Sequence, residues 1–266
     1  MKKFFIILLS VASFSTLYSC YRNPVTGRNT LNLVDESTMR TMANQEYAAF
    51  LSTNAPVKGT RDAEMVSRVG AQLASAVQQY LSSTGQQSQI SGYQWEFNLV
   101  NNNQANAWCM PGGKVVVYSG IMPVVQNEVG LAVVMGHEIA HAIARHSNER
   151  ASQQVAAQGG QALASVLTNN PGTASQIFNT AVGIGGQLTL LKFSRDQESE
   201  ADQMGLIFMA LAGYNPNEAL NFWQRMSAQS KGAKPPEFLS THPSDATRIA
   251  NIKKHIPTAM SYYKPR

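Results

Sequence analysis

The sequence predicts a mainly helical α+β fold with one small antiparallel sheet, on three observations. Tyr93, Trp95, Phe97 and Leu99 alternate with polar residues. The segments 105–110 and 114–119 flank a Pro111-Gly112-Gly113 turn. On either side of this region, apolar residues recur at helical spacing.

Taken in order, Lys2 and Lys3 precede an apolar run from Phe4 to Leu17 that is short for a membrane helix. Residues 1–19 therefore read as an export signal. The sequence Leu17-Tyr18-Ser19-Cys20 resembles a bacterial lipoprotein signal, with Tyr18 bulky for that motif. Cys20 is accordingly expected to be the acylated first residue, anchoring the chain to a membrane through lipid. Residues 20–34 contain Asn23-Pro24-Val25-Thr26-Gly27 and read as a turn-rich entry segment or lipid-anchored tether, which leaves 35–266 as one domain. Cys109 is then without a disulfide partner and is expected to be a buried thiol.

Helices are expected at 35–51 and 61–81, the second on the spacing of Met65, Val69, Leu73, Ala76 and Val77. The strand around Tyr93–Leu99 and the hairpin 105–119 follow. Further helices are expected at 128–147, 151–168, 174–191, 195–212, 216–229 and 244–255. The stretch 151–191 holds no Asp, Glu, Lys or Arg, yet polar residues interrupt it too often for a membrane span. It reads as a neutral helical pair, either partly buried and structural, or a lid or a membrane-facing or partner-facing element.

Charged residues make up only 14% of the chain. Removing Lys2 and Lys3 with the signal lowers the formal charge from +5 to +3. That field is too weak to argue for nucleic acid as a partner.

His137-Glu138-Ile139-Ala140-His141 carries the chemistry. On a helix, residues four apart differ by about 40° in azimuth, so His137 and His141 can offer two imidazoles to one metal ion. Glu138 lies beside them, where a carboxylate serves as general base. A catalytic zinc site needs a third protein ligand and one open position. The spacing that would place this ligand six residues after His141 is excluded, because Ser147 stands there and Ala144 replaces the accompanying glycine. His146, five residues on, points about 140° away and is expected to cap the helix end. Glu198 is the better candidate. Ser194 and Gln197 form a capping box that places Glu198 in the first turn of a helix, where the dipole keeps it ionised. Asp202, one turn on, can accept from the second nitrogen of His137. Glu200 is rotated about 200° from Glu198 and belongs on the other side.

With these residues, the chain resembles peptidase family M48, a gluzincin group that includes the CAAX prenyl proteases, and within it the periplasmic lipoprotein members. The resemblance runs from Asn23–Gly27 through Asn106-Ala107, Pro111-Gly112-Gly113, the His137–His141 motif and Ser194–Asp202 to Thr241-His242-Pro243 and Arg248. It implies a zincin-like metalloprotease domain with one Zn2+ per chain, held by His137, His141 and Glu198. Glu138 would be the catalytic base and Asp202 the partner of a ligand His. It implies further that His242 can occupy the fourth zinc position and block the site, although His242 also suits a helix-entry turn. Arg248 is expected to contact substrate or pair with an active-site carboxylate. In zincins, substrate lies along a sheet edge, so the strand from Asn106 to Met110 is expected to pair with it.

The function implied is zinc-dependent endoproteolysis of unfolded or misassembled envelope proteins, at the periplasmic face of the bacterial outer membrane. The alternative is a zinc-bound chaperone or assembly factor with a latent protease site.

Overall fold

The structure is a computed structural model that describes residues 20–168, 170–182, 194–229, 238, 239, 242 and 246–265. The export signal, the end of the helix expected at 174–191, and Thr241 and Pro243 lie outside the described residues. Among those described, no helix is long and apolar enough to cross a membrane.

Strands β1 (Cys20–Arg22) and β2 (Asn29–Leu31) form an antiparallel hairpin. Helices α1 (Glu36–Thr53) and α2 (Arg61–Ser83) follow. Each begins on a side chain that accepts from an otherwise unpaired backbone N–H: Asp35 from Thr38, and Thr60 from Ala63. The second sheet contains β3 (Glu96–Val100), β4 (Ala107–Met110) and β5 (Lys114–Tyr118), in the order β3-β5-β4. Gly112 and Gly113, both at φ +88°, turn the chain between β4 and β5.

The sheet is mixed, which corrects the expected all-antiparallel arrangement. β4 and β5 pair antiparallel, but β3 joins β5 in parallel. The chain leaves β3 through residues 101–106 and forms β4 at the far edge, so β5 enters the middle. Both faces of β5 are covered. Val115 and Val117 face one apolar core, while Val116 and Tyr118 face the other. This explains the unbroken Val115-Val116-Val117 run in place of alternation.

A one-turn helix α3 (Met122–Val125) leads to α4 (Glu128–Ile143), capped by Asn127. Then come α5 (His146–Gln158), α6 (Gly160–Leu167), α7 (Pro171–Val182), α8 (Arg195–Leu211), α9 (Glu218–Gln229) and α10 (Ala246–Met260). The first core gathers α2, α4, α8, α9 and α10 on one sheet face; the second gathers α1 and α5 to α7 on the other. Val155, Ala162, Val166, Ile177 and Phe178 bury the described part of the uncharged stretch in that second core. Leu167, by contrast, is exposed.

One further expectation changes. The helix expected through residue 147 stops at Ile143 because Arg145 adopts the left-handed conformation (φ 56°, ψ 38°), and a new helix starts at His146. Of the two readings of residues 20–34, the contacts favour an entry segment packed on the body. Tyr21 and Asn23 are buried, and the Tyr21 hydroxyl donates to Ile143 O at 2.7 Å.

Candidate metal centre

Helices α4 and α8 carry the central groups, and glycine lets them approach. A Cβ on Gly205 would lie 3.0 Å from His137 N and 3.1 Å from Gly136 C; one on Gly136 would lie 3.2 Å from Gly205 O. The helices thus meet backbone to backbone beside His137. The capping box of Ser194 and Gln197 is formed in both directions and starts α8 where Glu198 falls in its first turn.

Four donors converge. His141 Nε2 is 3.0 Å from His137 Nε2, and His137 Nε2 is 3.2 Å from His242 Nδ1. Glu198 Oε1 is 2.8 Å from His242 Nδ1 and 3.3 Å from His141 Nε2. Glu198 Oε2 is 3.5 Å from His137 Nε2. Zinc bonds of 2.0–2.1 Å arranged tetrahedrally would separate neighbouring ligand atoms by about 3.3 Å. The observed spacing fits one such ion, and all four residues are buried.

Around these donors, Asp202 Oδ1 lies 2.9 Å from His137 Nδ1. Arg248 grips Asp202 through Nε and an amino nitrogen, each at 2.8 Å, while its other amino nitrogen lies 2.7 Å from Glu198 Oε2. The guanidinium rests on the Trp223 ring at 3.5 Å, and Phe238 stacks on His242 at 4.5 Å. Glu138 is buried, with Oε1 3.3 Å from His242 Nε2 but without hydrogen-bond geometry.

The electrostatics suit a cation. Burial pushes Glu198 upward, but His242, Arg248 and His137 overcome it and hold its pKa well below the usual range. Asp202 is likewise lowered against burial, by Arg248 and His137. Burial would lower His137, yet Glu198 and Asp202 raise it to about 9, so this imidazole sits where positive charge is favoured. His141 is driven well down, chiefly by burial and then by His137, and is neutral as a ligand must be. Burial raises Glu138, with His242 and His137 opposing. A carboxyl group with a raised pKa is a better proton acceptor once ionised.

The structure thus brings together His137, Glu138, His141, Glu198, Asp202, His242 and Arg248. Asn106 turns its side chain onto its own strand, where Oδ1 accepts from Ala107 N at 2.9 Å. Strand β4, which it precedes, is one edge of the three-stranded sheet, β3 being the other. Cys20 is exposed at the start of β1, and Cys109 is a buried thiol.

His146 does not cap the helix end. Its Nδ1 lies 2.7 Å from His141 Nδ1, and its Nε2 lies 2.9 Å from Glu200 Oε2. The sequence reading missed this pair because it continued α4 past Arg145. It also missed Trp223, Phe238 and the Gly136–Gly205 contact. The spacing of small residues on the two helices was the available signal for the last.

A family profile described as Peptidase family M48 matches residues 70–256. The chain is 39% identical over 173 residues to the mitochondrial metalloendopeptidase OMA1 of Schizosaccharomyces pombe, covering 65% of this chain and 50% of that protein. It is 35% identical over 181 residues to the beta-barrel assembly-enhancing protease of Yersinia pestis, covering 63% and 37%. With the mitochondrial OMA1 metalloendopeptidase of Bos taurus it shares 29% identity over 269 residues, covering 96% and 50%. The chain spans about half the length of these relatives, or less.

Proposed function

The chain belongs to peptidase family M48, and from that premise we propose that it is a zinc metalloendopeptidase whose metal is held by His137, His141 and Glu198. The observation that carries this reading is the convergence of those donors with His242 at tetrahedral spacing, with Glu138 alongside. When bound, zinc supplies Lewis-acid polarisation and acidifies water.

The chain's own residues do the rest. Glu138 takes the proton from the attacking water and returns it to the leaving amine. Asp202 holds the His137 ring by accepting from Nδ1, and Arg248 keeps Asp202 and Glu198 ionised. His242, whose Nδ1 lies among the same donors, would be a fourth ligand and would keep the site closed until it withdrew. An extended substrate would pair with the β4 edge near Asn106 through backbone hydrogen bonds, a mode tolerant of side chains.

That tolerance favours unfolded or misassembled proteins as substrates. Similarity to the beta-barrel assembly-enhancing protease supports a role in envelope protein quality control. The lipoprotein-like signal and the exposure of Cys20 support lipid attachment at the periplasmic face of the outer membrane. Tyr21, where many inner-membrane lipoproteins carry Asp, favours that membrane.

Metal analysis and casein cleavage by wild type, Glu138→Gln and His242→Ala test the reading. About one zinc per chain is expected in each. Glu138→Gln should lose roughly 10²–10⁴-fold in rate, and His242→Ala should be faster than wild type. A wild-type protein that stays metal-free and inert after zinc reconstitution overturns the assignment. Equal rates in His242→Ala and wild type overturn the blocking role.

A further inference from the structure

Beyond the metal donors runs a buried polar chain that the mechanism does not use. With His141 Nε2 turned to the metal, the His141 proton sits on Nδ1, 2.7 Å from His146 Nδ1. His146 Nε2 is 2.9 Å from Glu200 Oε2. One tautomer set satisfies every atom: His141 Nδ1–H donates to His146 Nδ1, and His146 Nε2–H donates to the Glu200 carboxylate.

The chain continues into the N-terminal hairpin. Glu200 accepts from Thr26 Oγ1 and from Arg28 Nε, the latter at 2.8 Å. The two amino nitrogens of Arg28 donate to Glu149 on α5, each at 2.9 Å. The same hairpin touches both ligand-bearing helices. Tyr21 donates to Ile143 O at the end of α4, and Asn23 Nδ2 lies 3.3 Å from Met204 Sδ on α8. The Arg145 guanidinium, at the left-handed break after α4, lies 4.2 Å from the Tyr21 ring centre.

We propose that the hairpin of residues 20–31 clamps the metal centre, with Arg28 as a positioning residue that acts through Glu200 and His146 to fix the ring of His141. The inference rests on the zinc-site reading above. Without Arg28 and Thr26, Glu200 has less reason to hold one orientation, and the acceptor that sets the His146 tautomer is no longer fixed in place. His141 then rotates more freely about a bond that must aim Nε2 at the ion. Partners of this kind behind a ligand His are typically worth 10–100-fold in metal affinity. The clamp also joins Cys20, where β1 begins, to the centre.

The test uses the full chain as wild type, Arg28→Gln, Glu200→Gln and Glu149→Gln. Zinc affinity is measured by competition with a chromophoric chelator, and the visible bands of the cobalt(II)-loaded protein report ligand geometry. Arg28→Gln and Glu200→Gln should weaken zinc binding by about 10–100-fold and alter the cobalt spectrum. Glu149→Gln weakens a comparable contact to the same guanidinium, keeps an amide oxygen that can accept from Gln197 at the start of α8, and leaves the chain to His141 intact, so its affinity should stay within about twofold of wild type. Arg28 is partly exposed, so Arg28→Gln remains informative if the buried Glu200→Gln fails to fold. Unchanged affinity and spectrum in Arg28→Gln, with wild type binding metal, overturn the clamp alone. Equal weakening in Glu149→Gln overturns it too, by showing general loosening. A wild type that binds neither zinc nor cobalt overturns the zinc site and the clamp together.

Discussion

Asp202 uses both carboxylate oxygens: Oδ1 faces His137 Nδ1 and an Arg248 amino nitrogen, and Oδ2 accepts from Arg248 Nε. An amide at this position can still accept once but no longer stabilises positive charge on the imidazole. Asp202→Asn should therefore weaken zinc binding by about 10–100-fold, measured by chelator competition, while the α-helical circular dichroism is retained. The reason for Asp202 was legible because it is local: residues 198 and 202 lie one turn apart on a single helix. His146 was not legible in the same way. Its position depends on Arg145, a non-glycine residue in the left-handed region, held there by Gln89 at 3.0 Å and by the Tyr21 ring. Those partners are remote in sequence, and nothing in the His137–Ser147 stretch announces the break.

At the scale of elements, the decisive contact is the crossing of α4 and α8 at Gly136 and Gly205. Capping and periodicity predict that each helix exists, but they say nothing of how closely the two approach. A methyl group on Gly205 would press on the backbone of Gly136 and His137, atoms that cannot rotate away. Gly205→Ala should lower stability by about 1–3 kcal/mol and reduce proteolysis by moving Glu198 relative to the imidazoles, read by thermal unfolding and casein cleavage. Gly160→Ala is the control: among the described residues, nothing beyond its chain neighbours and its own helix backbone lies within 4 Å of the added carbon. It should leave proteolysis unchanged. The strands teach a similar lesson. The alternation in β3 and the glycine turn between β4 and β5 were readable, but the parallel pairing of β3 with β5 was not. That pairing depends on where the connection of 101–106 carries the chain.

Across the whole molecule, the hairpin 20–31 is bound to the helical body by ion pairs as well as by apolar contact. Glu149 and Arg28 form one of these pairs, with Gln197 donating to the same carboxylate at 2.8 Å. Burial acts to raise the Glu149 pKa, but Arg28 and Gln197 outweigh it, so its folded-state pKa lies below the usual carboxylate value. A depressed carboxylate stabilises the fold fully above its unfolded pKa of about 4.3, and that contribution fades as the pH falls through the folded value. Glu149→Gln should therefore cost about 1.5–3 kcal/mol near neutrality, and the gap from wild type should narrow below about pH 4. Denaturant unfolding at a series of pH values checks both. A gap that persists at low pH would assign the effect to packing.

From the sequence alone came the helical α+β class, the paired imidazoles, the acid at a capped helix start and the carboxylate one turn beyond it. Each follows from spacing along a single helix, where geometry is set by 3.6 residues per turn and by local capping. Spacing left His242 open between the site and a helix-entry turn, and tertiary structure decided that it meets three groups from two helices; tertiary structure alone decided that His146 stands behind His141 and that the N-terminal segment grips both helices. His141 and His146 are five positions apart but are separated by the break at Arg145; the other relations join residues 44 to 181 positions apart, and no periodicity encodes such distances. They follow from which buried surfaces fit against one another.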